Sequence, residues 1–176
     1  MSTTLPAFAR AVITAELGGP PAPVPPGLWE DRGASFVTLT RAGRLRGCIG
    51  SLAARRPLAE DVAENARAAA FRDPRFPALT AEELEDLHVE VSVLTEPVPL
   101  PAMGRAQAES AIGPGMGIVL EAGGRRATFL PQVWDQLPEP ADFLDHLLRK
   151  AGLPAGWWGE KVRLSHYAVT SHEEGP

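Results

Sequence analysis

Two glycine turns, Ala42-Gly43 and Gly123-Gly124, each sit between stretches of β-forming residues, and they restrict the fold of this 176-residue chain more than any other feature. A turn of this kind between two extended runs specifies a β-hairpin. The first joins Ser35–Thr40 (Ser-Phe-Val-Thr-Leu-Thr) to Arg44–Gly50, and the second joins Gly117–Ala122 to Arg125–Leu130. After the first hairpin, Pro57 opens a helix with Leu58, Val62, Ala66 and Ala69 on one face, and Asp73-Pro74 ends it. Thr80-Ala81-Glu82-Glu83 is a capping box for a short helix, and Val89, Val91 and Val93 then alternate with His88, Glu90 and Ser92 as in a strand with one buried face. After the second hairpin, Pro131 opens a helical turn. Phe143, Leu144, Leu147, Leu148 and Ala151 form an apolar stripe closed by Gly152, and a single last strand is expected from Val162 to Thr170.

The order strand, strand, helix, helix, strand thus occurs twice. It predicts an α+β fold with a largely antiparallel sheet and two pseudo-equivalent units around a cleft. The expected divisions within one domain are a helix over 1–17, a Pro/Gly-rich tether over 18–33, a first unit over 34–96, a connection over 97–116, a second unit over 117–170 and a tail over 171–176. Leu5, Phe8, Val12, Ile13 and Leu17 give the N-terminal helix its apolar face.

The chain carries one cysteine, so neither an intrachain disulfide nor a paired-cysteine metal site is available to it. No apolar run approaches the ~18 residues of a membrane span. Cytoplasm is the expected compartment, with no membrane partner. A formal charge of −5 opposes a broad nucleic-acid footprint, although Arg41, Arg44, Arg46, Arg55, Arg56, Arg72 and Arg75 cluster around the cysteine. Neither a phosphate-binding loop nor a dinucleotide fingerprint occurs, and His88, His146, His166 and His172 show no ligand spacing, so no cofactor and no protein-held metal are expected.

The cysteine lies in Leu45-Arg46-Gly47-Cys48-Ile49-Gly50. Regular alternation would put Arg46, Cys48 and Gly50 on one face, with the guanidinium about 7 Å along the strand from the thiol. Such a charge favours thiolate, so Cys48 is a candidate nucleophile or acid/base and Arg46 its activator and an anion binder. Glu90 is a candidate proton acceptor, with Ser92 and His88 on the same strand face. Gly47 and Gly50 allow close backbone approach to a ligand. Arg75 offers a planar fork to a carboxylate or phosphate, or else pairs with Asp73 in a structural corner. Under the alignment of the two halves, Arg126 and Thr128 match Arg46 and Cys48, and the Thr128 hydroxyl is a candidate donor to a ligand oxyanion. Lys150 is explained by its place at a helix C-terminus, and Trp157 and Trp158 either cap the core or face a partner.

Five ordered stretches, Leu45-Arg46-Gly47-Cys48-Ile49-Gly50-Ser51-Leu52, Ala69-Ala70-Phe71-Arg72-Asp73-Pro74-Arg75-Phe76, Val91-Ser92-Val93-Leu94, Thr128-Phe129-Leu130-Pro131 and Lys150-Ala151-Gly152-Leu153-Pro154, resemble the AMMECR-domain family. Within it the chain is similar to the bacterial form called AmmeMemoRadiSam system protein A. The resemblance implies a larger and a smaller subdomain around a cleft, and a genomic setting with a Memo-like protein of the extradiol-dioxygenase fold and a radical-SAM enzyme. Met116 departs from the pattern, standing where many relatives carry His or Asp. Three functions are open at this point. The first is an enzyme or enzyme subunit centred on Cys48 and Arg46, acting with those partners on a small molecule or modified nucleobase. The second is a non-catalytic adaptor or ligand-binding module for the partners. The third, less favoured, is an RNA-binding module.

Overall fold

The computed structural model describes residues 3–24 and 26–175. Pro25, inside the expected tether, and the chain's first two residues and last residue lie outside the described residues. Two compact units are present, one comprising 1–94 and 170–176, the other 95–169.

In the first unit, helix α1 (Leu5–Glu16) starts at Thr4, whose hydroxyl accepts the Ala7 N–H at 3.2 Å, and Pro6 occupies the first turn, where its missing N–H costs nothing. Strands β1 (Arg32–Arg41) and β2 (Arg44–Gly50) form the first hairpin, and the two-residue β3 (Arg56–Pro57) pairs with the start of β1. Helix α2 (Leu58–Phe71) follows, then a short 3-10 helix (Ala81–Asp86) and strand β4 (Leu87–Leu94). The Glu83 carboxylate reaches back to the Thr80 N–H at 3.2 Å, which is one arm of the expected capping box. The sheet order is β2-β1-β4-β9, β9 being Val169–Glu173 from the end of the chain.

Alternation decides which face is dry. Val37, Leu39, Val89 and Val91 are fully buried against Phe8, Val12 and Ile13 of α1 and Val62, Ala66 and Ala69 of α2. Charged groups also lie within this unit's interior. Asp61 on α2 accepts from the Ser35 N–H (2.8 Å), the Ser35 hydroxyl (2.7 Å), the Ser51 hydroxyl (2.8 Å), Asn65 (3.1 Å) and Arg56 (3.0 Å), tying the helix to β1 and to the segment leaving β2.

The second unit begins with β5 (Val98–Pro99) and α3 (Arg105–Ala111), both inside what the sequence presented as a plain connection. The hairpin β6 (Gly117–Ala122) and β7 (Arg125–Phe129), a 3-10 helix (Pro131–Asp135), α4 (Pro140–Lys150) and β8 (Arg163–Tyr167) complete it, with strand order β5-β8-β6-β7. Its core stacks Trp134 on Phe143 (3.9 Å between ring centres) and buries Ile118, Leu120, Leu144, Leu147 and Leu148.

One expectation is corrected. The last strand, expected to run unbroken from Val162 to Thr170, is two strands separated at Ala168, with β8 in the second sheet and β9 beside β4 in the first. Hydrophobic alternation cannot reveal this division because the break adds no glycine or proline. The expected α+β fold with antiparallel pairing is present, divided between two sheets: β1–β2, β1–β4, β6–β7 and β6–β8 are all antiparallel.

Candidate functional site

The pairing of β2 with β1 slips by one residue at Leu39/Thr40, so that Leu39 faces Gly47 while Thr40 faces Leu45, and Arg46 is the extra residue of a bulge. Cys48 pairs with Thr38 and stays on the polar face, but Arg46 turns to the helical side. The expectation that guanidinium and thiol share one face is therefore wrong, because the bulge breaks period-two alternation between them. Arg46 is buried, its Nε donating to Glu83 at 2.7 Å and its Nη2 to the Pro77 carbonyl at 2.8 Å. Its Nη1 is buried without a partner, and the Phe76 ring centre lies 5.9 Å from its guanidinium carbon. Hydrogen bonding from Arg46 lowers the Glu83 pKa from an ordinary 4.5 to about 2.

The guanidinium tied to the backbone of Cys48 is that of Arg75, through Asp73. Asp73 follows the end of α2, with Pro74 after it, and its buried carboxylate accepts from four donors. Oδ2 takes the Cys48 N–H (3.0 Å) and Arg75 Nη2 (2.8 Å), while Oδ1 takes the Arg75 N–H (3.0 Å) and Nε (3.0 Å). One carboxylate thus fixes both the backbone of the cysteine and the guanidinium. Its own pKa is held well below the usual range, first by the Arg75 hydrogen bonds. The Arg75 pKa is raised, chiefly by its hydrogen bond to Asp73. The Arg75 side chain remains 55% exposed. The structural reading of the Asp-Pro-Arg corner, Arg75 paired with Asp73, is the one present.

On the polar face a cross-strand row runs Cys48, Thr38, Glu90, one residue from each of β2, β1 and β4. The half-buried thiol lies 3.3 Å from the Thr38 hydroxyl. Glu90 is two strands from Cys48, and Thr38 is the residue between them that sequence reasoning missed; no pattern in β1 singles it out. His88 pairs with Thr40 at the same sheet end. Ser92 is buried and 3.5 Å from the Ser171 hydroxyl, which makes it part of the β4–β9 junction. The glycines answer to packing. A Cβ on Gly47 would sit 2.1 Å from the Ala69 carbonyl oxygen of α2, and one on Gly50 would sit 2.2 Å from the Phe36 ring.

In the second unit Thr128 occupies the position on β7 that Cys48 occupies on β2. Its hydroxyl donates to the Ile118 carbonyl at 2.8 Å and lies 2.9 Å from the Tyr167 hydroxyl, so its one proton is already committed. Burial pushes the Tyr167 phenol up. Met116 packs on the second core and gives its carbonyl to the Trp134 indole N–H at 2.8 Å. Lys150 does more than answer the helix dipole, since its ammonium donates to the Thr128 carbonyl at 2.8 Å. Trp158 caps the core and donates to the Met103 carbonyl at 3.1 Å, whereas Trp157 is 37% exposed.

The arginines near the cysteine are mostly neutralised: Arg41 by Glu83 and Asp86, Arg46 by Glu83, Arg56 by Asp61, Arg72 by Glu64 and Arg75 by Asp73. Among the described residues, no group of three or more His, Cys, Asp or Glu side chains is placed to hold a metal ion. Among the same residues, no helix is long and apolar enough to cross a membrane.

Two antiparallel sheets with this cysteine-bearing hairpin define an AMMECR-type α+β protein. The chain belongs to the AMMECR1 family, whose model matches residues 6–172. It is 40% identical over 158 residues to a protein of Methanothermobacter thermautotrophicus, covering 85% of this chain and 80% of that one. A Methanocaldococcus jannaschii protein is 36% identical over 178 residues, covering 95% and 87% of the two chains. In three dimensions the protein is similar to the crystal structure of an uncharacterised Pyrococcus horikoshii protein, with a TM-score of 0.84 and 35% identity over 97% of this chain and 89% of that one.

Proposed function

We propose that the protein is an enzyme or enzyme subunit whose chemistry centres on Cys48, with Arg75 rather than Arg46 as the cation that receives an anionic group of the substrate. The observation that carries this reading is the Asp73 carboxylate, which holds the Cys48 N–H and the Arg75 guanidinium at once. In this reading Cys48 is the nucleophile, and its proton leaves toward the neighbouring Thr38 hydroxyl, with Glu90 as the next acceptor along the row. Arg46 is a positioning residue that braces the bulge through Glu83. The substrate class is a small molecule or modified nucleobase with an acidic substituent, and the partners are a Memo-like protein and a radical-SAM enzyme, as the family resemblance implies.

A second reading, an adaptor or ligand-binding module for the same partners, is favoured by one observation. Arg46, Gly47, Gly50 and the Cys48 N–H all have structural tasks, and the thiol itself lies at hydrogen-bond distance from the Thr38 hydroxyl, 3.3 Å, so packing and hydrogen bonding account for most of the motif without catalysis.

Alkylation separates the two, because a single cysteine makes the label report one site. The rates with iodoacetate and with neutral iodoacetamide would be compared in the wild type and in Arg75→Gln. A nearby exposed guanidinium favours the anionic reagent, and the ratio should fall about threefold or more in Arg75→Gln. An unchanged ratio, or a thiol inert to both reagents in the folded protein, overturns the nucleophile reading and leaves the adaptor.

A further inference from the structure

The second unit carries a groove that the Cys48 site does not use. It has two ends that share Ala122, Gly123, Arg125 and Lys161 as lining. The apolar end, about 250 Å³, is completed by Leu153, Trp157, Gly159 and Glu160. The charged end, about 370 Å³, is completed by Glu121, Gly124, Arg126 and Arg163. Volumes of this order accept one small organic ligand.

The charge in the groove is unbalanced. Of the four cations only Arg126 has a carboxylate partner among the described residues, Glu121 at 3.2 Å, and both side chains of that pair are about half exposed. Such a pair is weak and yields readily to a better acceptor. Arg163 donates to the carbonyls of Glu160 (2.6 Å) and Val162 (2.9 Å), and Arg125 to that of Ala151 (3.5 Å), contacts that position a guanidinium without cancelling its charge. Lys161 makes no ion pair or hydrogen bond among the described residues. Glu121 pairs with Arg126 on one side and Arg163 on the other, so both guanidinium groups belong to one cross-strand row. At the other end, Trp157 is packed close to Gly159, where an added Cβ would lie 3.0 Å from its ring. The indole is thus braced while still exposed, which suits it to receive a second flat ring.

We infer that this groove binds an organic phosphate bearing a flat ring, of the nucleotide class, with the ring against Trp157 and the phosphate among Lys161, Arg126 and Arg163. Stacking on an aromatic face combined with a cationic track is the arrangement by which unpaired nucleotides are held. The same chemistry is offered by a free mononucleotide and by the phosphorylated 5′ end of an RNA chain.

The test is a titration of the full chain, read by tryptophan fluorescence and by calorimetry, with AMP, adenosine, inorganic phosphate, and a short oligouridylate carrying either a 5′-phosphate or a 5′-hydroxyl. AMP is expected to saturate at about millimolar concentration or below and to bind about tenfold more tightly than adenosine or phosphate. Lys161→Ala and Trp157→Leu should each weaken it about fivefold or more, with circular dichroism and melting unchanged because both side chains are exposed. Failure of AMP together with capture of the 5′-phosphorylated oligomer but not its hydroxyl form supports the same groove and assigns the RNA end as the source. Absence of binding by both, or binding that neither substitution affects, overturns the inference. Cys48→Ala should leave every one of these affinities unchanged, so the result stands apart from the thiol proposal.

Discussion

The two glycines of the cysteine strand are predicted to fail in different ways when given a methyl group. Gly47→Ala places a Cβ 2.1 Å from the Ala69 carbonyl oxygen and 3.0 Å from its carbon, both backbone atoms in the last turns of α2. Relief requires strand and helix to separate by more than 1 Å, through a core in which Ala66 and Ala69 are already buried. Overpacking typically costs 1–3 kcal/mol, and a backbone obstacle puts this case near the top, about 3 kcal/mol. For a chain of this size that is a fall in melting temperature of roughly 6–12 °C. Gly50→Ala meets first the Phe36 ring, at 2.2–2.4 Å, and a side chain can be exchanged. The double variant Gly50→Ala/Phe36→Ala should therefore be more stable than the sum of its single changes, with a coupling of about 1–2 kcal/mol in urea denaturation followed by circular dichroism. Ala69→Gly should give Gly47→Ala no comparable rescue, because the obstructing oxygen remains. A melting temperature for Gly47→Ala within about 2 °C of wild type, or an additive Gly50/Phe36 cycle, would refute the reasoning.

Acid should act through Glu83 and Asp73, whose carboxyl pKa values are both depressed by arginine hydrogen bonds. Their contribution is complete above the unfolded-state values and is lost as pH falls from about 4.5 toward 2 for Glu83, so stability should drop across that window by about 1–2 kcal/mol once solvent screening is allowed for. Glu83→Gln should lose about 2–4 kcal/mol at pH 7, where it strands the buried Arg46, and show a flatter acid limb in denaturant titrations; a limb as steep as wild type would count against the assignment. Asp61→Ala removes the acceptor of the Ser35 N–H and of both serine hydroxyls, and should cost about 3 kcal/mol in chemical denaturation. A loss below about 1 kcal/mol would show that water replaces the carboxylate.

Much of the fold was legible because its signals are local. The glycine turns, Pro57 before α2, the Glu83 reach-back and the heptad-like stripe of α4 each involve residues close in sequence, and each element formed where its pattern lies. The site was only partly legible. Cys48 drew notice as a lone cysteine between glycines, but its partners come from β1 and from the corner after α2, and sequence spacing does not encode those approaches. The role given to Arg46 failed on a single inserted residue, since a bulge reverses every face assignment beyond it. The groove of the second unit escaped notice because its cations come from two strands, β7 and β8, and from Lys161, two residues ahead of β8.

The position of β9 bears on how the protein is made. The chain leaves the first sheet after Leu94, builds the whole second unit, and returns to lay β9 beside β4. During synthesis β4 must therefore wait as an open edge until β9 emerges, with its ladder groups unpaired on that side. Glu174 then closes the seam, accepting the Val89 N–H at 3.2 Å and engaging Arg10 of α1. The last few residues of the chain thus act as a latch on its first helix, and a nascent protein stalled short of them would present an unsealed β-strand to its neighbours.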